Sequence, residues 1–132
     1  MVRRSFLKVH NIDFDLTMVS EDVMWSTKLA VHAKKCIVSD KYIYCLTERE
    51  GSLANSITLN KVLIWYDIIK RKNIYLSSLK ITNRKEYFSY NDLSIIRRSN
   101  KMLYIKYIFK SINEKLLKPE SFYKIEKKIN FK

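Results

Sequence analysis

One glycine and one proline in 132 residues leave this chain few places for a sharp turn. Hairpins and β-sandwiches draw on Gly for positive φ and on Pro for its fixed φ. The shortage argues against a compact all-β fold, and long helices with a few strands fit better. Hydrophobic residues at 47%, with 13% aromatics, argue against disorder despite 30% charged residues. The length suits one domain at most, or part of one, and is enough to bury a core.

The charge is lopsided. Residues 1–60 hold 8 Lys/Arg and 7 Asp/Glu, whereas residues 61–132 hold 18 and 6. The basic character belongs to the second half and needs its own explanation. Cys36 and Cys45 lie in neither a C-x-x-C nor a metal-ligand spacing, and read as reduced, partly buried small hydrophobes. The opening "MVRRSFLKVHNIDFD" turns polar before an apolar core of a leader can form, and no run of about 18 uncharged apolar residues occurs. The expected location is cytoplasmic, with a peripheral place at the inner face of the membrane as an option.

Along the chain, "RRSFLKVHNIDFD" reads as a short amphipathic piece and a loop. Ser20 is placed to cap a helix whose first turn carries Glu21 and Asp22. Val23, Trp25, Leu29, Ala30 and Ala33 form its apolar stripe, and Lys34-Lys35 suit its end. "CIVSD" and "YIYCLT" read as two short strands. The polar stretch "EREGSLANS" holds Gly51 and reads as a loop. "LNKVLIWYDII" reads as a helix ended by "KRKN". Residues 77–90 carry no clear signal. Residues 91–117 read as helix, with Leu93, Ile96, Leu103, Tyr107 and Leu117 apolar, stopped by Pro119. His10 and His32 fall in no ligand pattern and read as polar-face or packing residues.

Together, "RRSFLKVHNIDFD", "SEDVMW" and "AKKCIVSDKYIYCLTEREGSLANS" are more specific than their parts. In order and approximate spacing they resemble the second half of family 2 glycosyltransferases of the GT-A fold, which build bacterial surface polysaccharides. The likeness runs from Arg3 to Ser56. It implies an α/β fold: residues 1–57 as the acceptor-side part of a GT-A-like domain, with a few short strands plus helices, and residues 58–132 as a helical, basic extension. It implies Asp22 as the base that takes the acceptor hydroxyl's proton in an inverting transfer from a nucleotide-sugar. Glu21 becomes its neighbour, Trp25 the helix aromatic of the acceptor site, and Arg49, Gly51 and Ser52 a loop near the donor diphosphate or acceptor. Leu46 and Thr47 depart from the Tyr and Arg of that pattern.

The metal-binding D-x-D of such enzymes has no counterpart, because "DFD" at 13–15 lies in the wrong place. The resemblance therefore implies a fragment, inactive alone, whose complete enzyme uses Mg or Mn. Implied partners are a nucleotide-sugar, a glycan or lipid-linked acceptor, and an N-terminal half chain or a second copy. Beside this stands a plainer account: Glu21 and Asp22 as a helix start, and Arg49 on a surface turn. The basic region from Lys70-Arg71-Lys72 through Arg97-Arg98, Lys101, Lys106 and Lys110 admits three readings: an anionic-membrane surface, a solvated face, or nucleic-acid binding. The alternative for the whole chain is a small non-enzymatic basic helical module that binds anionic membrane or nucleic acid.

Overall fold

A computed structural model describes residues 2–38, 40–41, 44–45, 57–118 and 125. Among them are five α-helices: α1 (Arg4–Val9), α2 (Asp22–His32), α3 (Leu59–Ser78), α4 (Tyr90–Ser99) and α5 (Lys101–Asn113). No strand occurs among the described residues, whose one β-type pairing is an isolated bridge between Phe88 and Leu117. This corrects the α/β expectation. Cys36, Ile37 and Val38 form no strand, and Ile37 and Val38 are 82% and 86% exposed. A β-branched run becomes a strand only where a partner strand and a packing surface exist. Both cysteines are free and exposed, not partly buried. Most of "YIYCLT" and the whole of "EREGSLANS" lie outside the described residues.

The chain divides into two units, Met1–Ile57 and Thr58–Lys132. In the first, α1 ends in a left-handed turn. Asn11 takes φ 49°, its N–H donates to Lys8 O, and the N–H of Ile12 donates to Leu7 O at 2.9 Å. This is the Schellman stop, which glycine usually makes and asparagine tolerates. Ile12, the hydrophobic residue that follows it, is buried. Ser20 does not cap α2. It sits at φ 56°, Glu21 takes the N-cap position, and no side chain bonds the helix start. The reason is local: Asp15 N–H donates to Glu21 O at 3.0 Å, so the loop closes on itself and turns at Ser20.

The second unit holds a continuous core. Val62, Tyr66 and Ile69 line one side of α3 and meet Phe88, Leu93, Ile96, Leu116, Leu117 and Ile125. Thr58 caps α3 through its hydroxyl, which accepts from Lys61 N–H. The helix does not stop at "KRKN" but runs on to Ser78, because each cation there has an acid to answer it. Lys70 pairs with Glu114 at 2.7 Å, Arg71 with Asp67 at 3.0 Å, and Lys72 with Glu86. Next to them Asn73 is buried, and its amide holds both backbone groups of Glu86, donating to the carbonyl at 2.7 Å and accepting from the N–H at 3.0 Å. That staple carries the unassigned segment after α3 back onto the helix.

The expected helix over 91–117 is two helices. Ser89 and Asp92 form a capping box at the start of α4. Asn100 then adopts φ −157° and ψ 115°, which breaks the helix, and its side chain accepts from Leu103 N–H to begin α5. The ends of α3 and α5 repeat the left-handed stop, with Lys80 at φ 59° and Lys115 at φ 52°. There Ile81 N–H donates to Leu76 O at 2.9 Å, and Leu116 N–H to Ser111 O at 2.8 Å.

Candidate functional site

Helix α5, KMLYIKYIFKSIN, contains no acid and has two apolar faces. Leu103, Tyr104, Tyr107 and Ile108 pack on the core, and Ser111 is fully buried with its hydroxyl donating to Tyr107 O. On the other side Met102, Ile105, Phe109 and Ile112 are 77%, 49%, 63% and 40% exposed. Their 3-4-3 spacing places them in one stripe along the helix. By the same helical geometry Lys101 borders the stripe on one side and Lys106 on the other, both exposed.

The electrostatics of this unit are set by where its acids go. Among residues 58–118 the acids are Asp67, Glu86, Asp92 and Glu114. Three pair with cations of α3, and Asp92 closes the capping box. Glu114 joins the end of α5 to α3. Its Oε2 accepts from the Tyr66 hydroxyl at 2.8 Å and its Oε1 from Lys70. Partial burial works to raise the Glu114 pKa, but the bonds from Lys70 and Tyr66 outweigh it and hold the carboxyl below its ordinary value. Tyr66 moves well above its ordinary range, through burial first and the Glu114 carboxylate second. Lys110 lies over the Tyr66 and Tyr107 rings at 4.9 and 5.3 Å. Lys80, Arg84, Arg97, Arg98, Lys101, Lys106, Lys115 and Lys118 remain as exposed cations, Arg97 lying over the Tyr104 ring at 6.0 Å. Lys70-Arg71-Lys72 thus belongs to the internal pairing, while the outward charge lies elsewhere.

In the first unit, Glu21 and Asp22 are exposed at the start of α2. Trp25 stacks flat on Phe14, with centroids 5.2 Å apart and planes 3° apart. Asp22 and Trp25 therefore share the first turn of one helix, while Arg49, Gly51 and Ser52 lie outside the described residues. A concave surface at the other end of α2 is lined by Phe6, His10, Val31, His32, Ala33 and Lys34, not by the acid pair. His10 and His32 stack there at 4.2 Å with Phe6 against His10, a ring ladder with no signal in the local spacing.

Among the described residues no three His, Cys, Asp or Glu side chains gather to hold a metal ion. Comparisons with protein-family models, with curated proteins and with solved structures find no match. With five helices and no strand among the described residues, these results overturn the glycosyltransferase resemblance and what hung on it. The GT-A fragment, the nucleotide-sugar donor and glycan acceptor, the missing half chain and the expected Mg or Mn all lose their ground. The acid pair was conspicuous because its two carboxylates are adjacent just ahead of an apolar stripe. The outer stripe of α5 was less so, because its residues interleave with the inner ones and only the angular sorting separates them.

Proposed function

We propose that the chain is a non-enzymatic basic helical module that attaches to an anionic membrane surface through the unit beginning at Thr58. One observation carries this: the described acids of that unit are engaged in internal pairs and a helix cap, so the charge it shows to its surroundings is positive. Each Lys or Arg brought near an anionic leaflet contributes about 1 kcal/mol, so Lys101 and Lys106, which flank one face of α5, together reach about 2 kcal/mol before any apolar contact. A peripheral place on a cytoplasmic leaflet, where anionic lipid is found, fits this attachment. Among the described residues no helix is long and apolar enough to cross a bilayer.

Vesicle flotation tests the proposal. The protein is expected to float with phosphatidylglycerol-containing vesicles, to stay behind with pure phosphatidylcholine, and to release as salt rises. Equal recovery with both lipids, or a salt-sensitive shift of DNA or RNA without vesicle binding, would overturn it.

A further inference from the structure

We infer that α5 is the element that docks, lying in the plane of the interface with Met102, Ile105, Phe109 and Ile112 entering the acyl boundary of an anionic bilayer and Lys101 and Lys106 reaching the headgroups. This rests on the membrane attachment proposed above and adds its orientation and its apolar component.

The occupant follows from what borders the stripe. A second copy of the chain would bring its own Lys101 and Lys106 up to the first pair, with no acid on α5 to answer them. Both copies would also carry the strong positive charge of residues 61–132. A nucleic acid would meet the cations and one ring, Phe109, but Met102, Ile105 and Ile112 offer phosphates nothing and stack poorly on bases. An anionic bilayer satisfies both parts. Its acyl boundary takes the apolar strip, and its headgroups take the charged ends of the flanking lysines. The helix dimensions agree. Thirteen residues span about 20 Å, too short to cross a hydrocarbon core of about 30 Å but long enough to lie along its surface. The opposite face of α5 is already committed to the core, so the unit stays folded as it docks.

The test compares the intact chain with two double variants, Ile105→Ser/Phe109→Ser and Lys101→Gln/Lys106→Gln. All four positions lie outside the buried core, and circular dichroism checks that the fold is kept. Partition is measured by flotation on phosphatidylglycerol–phosphatidylcholine vesicles at low and high salt. The apolar variant is expected to lose at least roughly tenfold in partition at both salt levels, since burial of even one such side chain is worth that much. The lysine variant is expected to lose mainly at low salt. Unchanged partition in the apolar variant, with loss in the lysine variant, overturns the insertion of α5 while leaving charge-driven attachment standing. No vesicle binding by the intact chain overturns both. A concentration-dependent dimer in solution that Ile105→Ser/Phe109→Ser abolishes assigns the stripe to a second copy and overturns the inference.

Discussion

The two units differ in how they use their polar residues. In Met1–Ile57 the buried apolar residues among those described are Ile12 and Met24, while Val9, Phe14, Leu16, Met18, Ile37 and Val38 are exposed. In the unit beginning at Thr58 nine buried apolar residues form one cluster, and the polar groups around it close onto one another. The first unit holds every short motif that suggested chemistry, and the second holds none of them. Motifs are conspicuous because they concentrate polar residues at turns. A core is built from spaced apolar residues that no motif marks.

The largest test of that contrast is a truncation in each core. Phe88→Ala is expected to cost about 3–5 kcal/mol and to shift the main urea transition. Met24→Ala is expected to leave that transition near its place. If the two variants shift a single transition equally, the units unfold as one and the contrast fails.

Next in size is the Tyr66–Glu114–Lys70 junction. Glu114→Gln is expected to lower stability by about 1–2 kcal/mol near neutral pH. Because the Glu114 pKa is depressed in the folded state, its contribution is present above the ordinary carboxylate value and fades as pH falls through the depressed one. Denaturation midpoints measured from pH 7 downward should therefore fall for the parent chain and fall less for the variant. Tyr66 and Lys70 have the opposite sign. Both are raised, so their contribution is whole below about pH 10 and fades as pH rises further. Tyr66→Phe should flatten that alkaline limb, and an unchanged limb would assign it to other groups.

Smaller effects come from the helix stops. A non-glycine residue in the left-handed region costs roughly 1–2 kcal/mol, partly returned by its lower freedom when unfolded. Lys80→Gly and Lys115→Gly are each expected to stabilise by about 1 kcal/mol, seen as a rise in thermal midpoint. Asn11→Gly should gain only about a few tenths, since Asn tolerates that conformation better. Equal gains at the three positions would count against the steric account.

Much of the helical layout was legible. The start of α3 follows from the apolar run that begins at Leu59, and α2 follows from its stripe. The length of α3 was hidden because "KRKN" looks like a helix end unless Glu86 and Glu114, distant in sequence, are known to come back. The break at Asn100 was hidden because apolar spacing continues through it. The run Cys36–Val38 misled because β propensity describes what a residue tolerates, not whether a neighbouring strand exists. At the candidate site, the cations of the second half were plain from counting. Which of them face outward was not, since that depends on where four acids fold.

The joint at Asn100 has a mechanical consequence. Its N–H donates to Ile96 O at 2.8 Å and its C=O accepts from Tyr104 N–H at 3.0 Å, so one residue belongs to the hydrogen-bond ladders of both α4 and α5. There is no slack between the two helices. At its far end α5 is pinned again, where Glu114 grips Tyr66 and Lys70. A force on the outer face of α5 is therefore delivered to both anchors at once, as a beam fixed at two supports delivers its load, and reaches α3 without passing through a loop that could absorb it.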